Sequence, residues 1–175
     1  CPTYYKSYLC KKCKSEIIKN KIIDIKKIDY LKKKNSNLKI GLAHGVFDLL
    51  HYGHLKHLQS AKDNCDILVV SITSSKFVKK GPDRPYYSDQ ERLNFLSSLE
   101  FVDYVNLSKE ATGEKIIKDL KPNIYFKGNE YETNSNDITN NINQEIKILK
   151  KNKGKIFFTN EKTLSSSNLI NKYFL

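Results

Sequence analysis

The run Asp66–Ile72, whose core Ile67-Leu68-Val69-Val70 has no polar break, constrains this chain more than any other segment. A strand with one wet face alternates apolar and polar residues. One that does not alternate is buried on both faces, as in a parallel sheet covered by helices on each side. The neighbouring segments fit such a sheet. Leu38–Ala43 reads as a short strand, and Gly53–Lys62 carries Leu55, Leu58 and Ala61 on one helical face. Ser88-Asp89-Gln90-Glu91 is a capping-box pattern opening a helix with Leu93, Phe95, Leu96 and Leu99. Tyr104–Leu107, Asn123–Lys127 and Lys155–Thr159 read as further strands. Between them, Ile116, Ile117 and Leu120 mark a helix stopped by Lys121-Pro122, and Ile138–Lys150 a helix ended by Gly154. Asn129–Asn136 is a polar loop, and Ser165-Ser166-Ser167 caps a last helix through Tyr173. Five strands alternating with helices predict one α/β domain, a Rossmann-like, doubly wound five-stranded parallel sheet spanning residues 23–175. Asp24–Lys34 carries Ile25, Ile28 and Leu31 at helical spacing, while residues 1–22 read as a basic, Cys-containing N-terminal arm without a period.

Size agrees with a single core, since 175 residues suffice for one domain. With 39% hydrophobic and 29% charged residues, the chain is neither a disordered tail nor a disulfide mini-scaffold. No apolar run approaches the roughly 18 residues of a membrane span. The chain opens on Cys1 and shows no leader pattern, so the expectation is a soluble cytoplasmic domain, a fragment or trimmed form of a longer protein. The net charge of +12 comes almost wholly from Lys in a chain also rich in Asn and Ile. That bias attracts polyanions in general without specifying nucleic acid. A basic nucleic-acid-binding module is the distant alternative, set against basic residues spread along the chain and no RNA or DNA motif.

Rare residues therefore carry more information than common ones. All four His lie between His44 and His57, and only Arg84 and Arg92 supply guanidinium forks among 31 basic residues. Cys10 and Cys13 have the spacing of half a zinc site, a weak metal position because no second C-x-x-C exists. Otherwise they form a surface dithiol, and Cys65 is a small core residue. The loop after the first strand ends in His51-Tyr52-Gly53-His54, where a helix begins. Helix N-termini bind phosphate through free N–H groups and the dipole. Two imidazoles there add hydrogen bonds to a transition state gaining negative charge, and Gly53 lets a phosphate approach the turn. The competing reading is a plain loop, or a metal site built from His51, His54 and His57.

With Gly45-Val46-Phe47-Asp48 leading into this H-x-G-H, the sequence resembles the cytidylyltransferase-like nucleotidyltransferases. The likeness continues through Lys80-Gly81-Pro82-Asp83-Arg84-Pro85, Gln90-Glu91-Arg92, Phe126-Lys127-Gly128 and Ser165-Ser166-Ser167-Asn168. It covers about residues 24–175, in the form closest to the adenylyltransferase domain of ADP-heptose synthesis. The resemblance implies that His51 and His54 contact the triphosphate and stabilise the reacting α-phosphate. It puts Val46 and Phe47 at the nucleotide, and Lys80, with Lys79 as a substitute, against phosphate. Arg92 and Arg84 contact phosphate or order their loop, and Asp48 binds substrate or fixes the loop. Lys127 and Gly128 lie near base and ribose, and Ser165, Ser166 and Ser167 face the outer phosphates. Mg²⁺ accompanies the triphosphate, the second substrate is a phosphorylated sugar or alcohol, and a sugar-kinase partner and a homodimer are expected. Glycerol-phosphate cytidylyltransferases carry Arg where this chain has Asn160 and Glu100. ATP and a heptose 1-phosphate are therefore favoured over CTP with glycerol 3-phosphate or another small alcohol phosphate.

Overall fold

The computed structural model describes residues 11–24, 27, 37–79, 81, 83–128 and 141–160. Among the described residues, five strands form a single sheet: β1 (Ile40–Gly45), β2 (Ile67–Thr73), β3 (Tyr104–Ser108), β4 (Ile124–Gly128) and β5 (Lys155–Thr159). Every pairing is parallel and the order is β3-β2-β1-β4-β5. Leu42 stands opposite Val69 on one side and Tyr125 on the other. The chain thus runs outward from β1 to β3 and then restarts on the other side of β1. That reversal opens a crevice beyond the carboxyl ends of β1 and β4, where ligands of such sheets bind.

β2 is buried at every position, as its unbroken apolar run predicts. Its residues divide between two cores. Leu68, Val70 and Ile72 join Ala43 and Phe126 beneath α2 (Tyr52–Asp63) and α3 (Asp89–Ser97), which contribute Leu58, Ala61, Leu93 and Leu96. Ile67 and Val69 join Leu42 and Tyr125 on the opposite face. There α4 (Glu114–Leu120) supplies Ile116, Ile117 and Leu120, and α5 (Asn141–Lys151) supplies Leu149. Helices on both faces make the sheet doubly wound.

Lys11–Lys21 forms a helix, α1, where the sequence shows no helical period. The segment after it is stitched to the outer edge of β3. Ile22 bridges Val105 in parallel, and Ile23 N donates to Val105 O at 2.9 Å. Asn106 Nδ2 returns a bond to Ile23 O at 3.0 Å, Lys21 Nζ reaches Leu99 O, and Ile23 is buried. This contact covers an edge that would otherwise expose unpaired backbone. Most of the helix expected over Asp24–Lys34, the Asn129–Asn136 loop and the last helix lie outside the described residues, as does Cys10. Cys13 is part of α1, but its side chain is not among those described. Cys65 is half-buried with its thiol pushed up to about 11 by burial, a packing residue rather than a reactive one. At the amino end of the sheet, Asp103 accepts from Leu68 N at 2.7 Å and pairs with Lys62 Nζ at 2.6 Å, far from the crevice.

Candidate active site

The loop from β1 to α2 holds two non-glycine residues in the left-handed region, Phe47 at φ 51° and Leu49 at φ 47°. Each such residue costs on the order of 1 kcal/mol or more, so surrounding contacts must impose the shape. Those contacts come from the core and from the 84–87 segment. Phe47 buries its ring in the core, and Asp48 is buried while accepting from Tyr86 N at 3.0 Å and Tyr87 N at 3.2 Å. Arg84 Nε stands 2.9 Å from Asp48 Oδ2 as an ion pair. Asp48 and Arg84 are thus committed to each other and to tying the 84–87 segment against the loop.

Arg92, on α3, is 0% exposed. Its Nη1 donates to Val46 O at 2.7 Å and Thr73 O at 2.8 Å, and its Nε to Tyr87 O at 3.2 Å. Nη2 reaches Ser75 Oγ at 3.1 Å and pairs with Asp89. Only a planar fork can serve this many acceptors at once. Asp89 in turn binds Ser74 and Ser75, which pulls its carboxyl below the usual range although burial alone would raise it. One guanidinium therefore fixes the loops after β1 and β2 and the approach to α3 together.

His51 is the N-cap of α2, in extended backbone with φ −134° and ψ 174°. Its Nδ1 accepts from Gly53 N at 3.1 Å, while His54 Nδ1 accepts from His51 N at 3.4 Å. This is a capping box built from two imidazoles, with His54 in the place usually held by Glu or Gln. Its chemical consequence is a fixed tautomer. An Nδ1 that accepts cannot carry the proton of a neutral ring, so that proton sits on Nε2 in both residues. The rings lie 4.0 Å apart and tilted by 33°, and Phe47 stands 5.5 Å from His54. Burial lowers the pKa of His51, keeping it a neutral donor near pH 7. Two paired N–H donors at a helix N-terminus suit an anionic oxygen. Gly53 donates its own N–H to this cap.

His57, one turn further on, spans the crevice wall instead of joining this pair. Its Nδ1 lies 2.7 Å from Thr159 Oγ1 at the end of β5, and Thr159 Oγ1 reaches Lys127 O at 3.4 Å. The metal site from His51, His54 and His57 finds no support here: among the described residues no group of three or more His, Cys, Asp or Glu converges on a metal position.

On the opposite face, at the ends of β1 and β4, the expected site residue Lys127 meets a partner that the sequence does not reveal, Glu145. Glu145, buried on α5, accepts from Gly113 N at 2.7 Å and from the Tyr125 hydroxyl at 2.8 Å. Lys127 Nζ stands 3.3 Å from its Oε2 and 5.1 Å from the centre of the Tyr125 ring. Burial alone would raise the Glu145 carboxyl, but Lys127, His44, Tyr125 and Gly113 together pull it below its ordinary range. His44 is also buried here and its pKa falls to about 4, through burial first and the Lys127 charge second. Gly128 closes β4 opposite Thr159. Lys80, Ser165, Ser166 and Ser167 lie outside the described residues.

The two low histidines give a stability prediction. His44 and His57 are both lowered to about 4 in the folded chain, His57 chiefly by burial and then by Lys127. Between about pH 6.5 and pH 4 the unfolded chain binds more protons than the folded one, so stability drops as pH falls through that window. For His44 the loss is about 3 kcal/mol once pH lies below 4. Melting temperature should decline steadily from pH 7 to pH 4.5, and His44→Asn should flatten part of the slope. A flat profile across that range would contradict the burial assigned to these rings.

The cytidylyltransferase-like family model matches residues 42–172. The bifunctional protein HldE of Campylobacter fetus is 36% identical over 163 residues, 92% of this chain and 33% of that protein. The bifunctional protein HldE of Helicobacter pylori is 47% identical over 95 residues, 53% of this chain and 21% of that protein. The chain spans about a third or less of these relatives. Among solved structures, the lipopolysaccharide core biosynthesis protein of Thermoplasma volcanium superposes with a TM-score of 0.59 at 27% identity, covering 72% of this chain and 99% of that one. The pantoate-beta-alanine ligase of Francisella tularensis shares the fold, with a TM-score of 0.57 at 21% identity over 85% of this chain and 72% of that one.

Proposed function

Because this chain belongs to the cytidylyltransferase-like family and is a nucleotidyltransferase, we propose that it transfers an adenylyl group from ATP to a heptose 1-phosphate. The observation that carries the reading is the His51–His54 pair, two imidazoles with fixed tautomers at the N-terminus of α2. A phosphate oxygen of the sugar attacks the α-phosphorus in line, forming a new P–O bond. The bond to the bridging oxygen of the β-phosphate breaks, and pyrophosphate leaves with that electron pair. Nε2–H groups of His51 and His54 donate to the phosphate oxygens on which charge gathers. Positioning and charge neutralisation then supply the rate enhancement without a covalent enzyme intermediate. Lys80 and Ser165 to Ser167 belong to the proposal as further phosphate partners, and Val46, Phe47, Lys127 and Gly128 as the nucleotide's surroundings.

Mg²⁺ would accompany the triphosphate as its charge partner, held by phosphate oxygens and water; the loop carboxylate Asp48 pairs with Arg84 and two backbone N–H groups. Kinship with bifunctional HldE proteins, together with Glu100 and Lys127-Gly128, supports the heptose type and ATP. That kinship also supports a sugar-kinase partner or fused kinase domain. The proposal further includes a homodimer and a cytoplasmic location; no helix among the described residues is long and apolar enough to cross a membrane.

Pyrophosphate release tests the reading. With Mg²⁺, ATP and heptose 1-phosphates, release should exceed that with CTP and glycerol 3-phosphate by tenfold or more. A reversal would assign the protein to the alcohol-phosphate cytidylyltransferases, and release with neither pair would remove the proposed reaction.

A further inference from the structure

We propose that Glu145 is a positioning residue for the nucleotide subsite: from α5 it fixes where the Lys127 ammonium stands at the end of β4. The inference rests on the nucleotidyl-transfer reading, which puts Lys127 beside base and ribose. Three observations and one physical argument converge on Glu145.

First, the Lys127 side chain is drawn in. It is 13% exposed, against 28% for Lys62 on α2 and 53% and 57% for Lys115 and Lys118, whose ion pairs lie on the surface of α4. Second, the Glu145 carboxylate is itself firmly held. Oε1 is anchored by Gly113 N at 2.7 Å and Oε2 by the Tyr125 hydroxyl at 2.8 Å, so the negative charge has a set place whichever way the lysine points. The ammonium sits at the longer distance of 3.3 Å and over the Tyr125 ring, drawn by the carboxylate and by the ring face.

Third, the pocket is built to a tight fit. A Cβ at Gly113 would stand 2.8 Å from Glu145 Oε1, 2.9 Å from the Tyr125 hydroxyl and 3.1 Å from His44 Cδ2. Glycine at the start of α4 is what lets the carboxylate come this close. Fourth, a buried ion pair adds little net stability over an apolar pair of the same volume, because both charges lose their water. What it does supply is a defined location for a charge. Here that location is the carboxyl end of β4, one strand from the loop that presents His51 and His54.

The test is a double-mutant cycle on ATP affinity, measured by titration calorimetry in the presence of Mg²⁺. Glu145→Gln keeps the shape and removes the charge; Lys127→Gln removes the ammonium. Each single variant should bind ATP about tenfold more weakly than the wild type. The double variant should bind no more than about twofold more weakly than Lys127→Gln, since both changes remove the same interaction. Glu145→Asp, which keeps the charge one methylene shorter, should lose an intermediate amount and serves if Glu145→Gln does not fold. Wild-type affinity in Glu145→Gln, or in Glu145→Asp where only that variant folds, would overturn the inference and leave the nucleotidyl-transfer reading standing. So would losses that multiply in the double variant. Wild-type affinity in Lys127→Gln would remove Lys127 from the subsite and the inference with it. A wild-type protein that binds no ATP would instead remove the nucleotide reading on which the inference depends.

Discussion

Turnover in His54→Ala is expected to fall by on the order of a hundredfold or more, the usual cost of removing one donor from a developing oxyanion. The change deletes an Nε2–H donor and also half of the imidazole capping box, since His54 Nδ1 accepts from His51 N. Losing that weak capping contact should cost roughly 1 kcal/mol of stability, so the fold survives and the two effects separate. Circular dichroism should match the wild type while the rate of pyrophosphate release collapses. His51→Ala should behave similarly in turnover but with a larger loss of stability, because His51 is the cap residue itself. A folded His54→Ala protein with unchanged turnover would remove the H-x-G-H pair from the reaction.

The second large effect is expected at Arg92 and in stability first. Arg92→Met keeps the aliphatic stem but leaves Val46 O, Thr73 O and Tyr87 O without their donor and Asp89 without its cation. Leaving three carbonyls unpaired around a buried site, beside an Asp89 side chain that is 29% exposed, costs about 3 kcal/mol or more. For a chain of this length that corresponds to a melting point lower by roughly 6–12 °C. Arg92→Lys should recover little of it, because an ammonium cannot meet acceptors on three segments in one plane. Since Val46 O is among those acceptors, activity should fall as well, through disorder of the loop ahead of His51. A melting point within a degree or two of the wild type would mean that these hydrogen bonds are not made in solution.

These two residues also show what the amino-acid sequence discloses and what it conceals. His51 and His54 were legible because four rare residues cluster at a strand-to-helix turn, where local spacing alone sets their mutual geometry. The capping box at Ser88 was legible for the same reason, and the structure shows both of its reciprocal bonds. The doubly wound sheet followed from the apolar run of β2. Arg92 was visible as an unusual residue, but its acceptors at Val46, Thr73 and Tyr87 come from separate turns, and no spacing rule brings these together. Glu145 was hidden more deeply. It lies on a helix of ordinary composition, and only the restart of the chain on the far side of β1 carries that helix beneath β4. Helix α1 escaped notice because a Lys-rich stretch without an apolar stripe has no period to read. Its anchor is carried by Ile22 and Ile23, just beyond its end.

Equilibrium binding of ATP and of CTP to the wild-type protein, each with Mg²⁺ and followed by calorimetry, distinguishes an adenylyl-transfer site from a cytidylyl-transfer one. It requires no choice of sugar and reports on the crevice itself. ATP should bind saturably and at least tenfold more tightly than CTP, a gap of about 1.4 kcal/mol. Equal or tighter binding of CTP would contradict adenylyl transfer, and failure to bind either nucleotide would contradict a phosphate site at the His51–His54 turn.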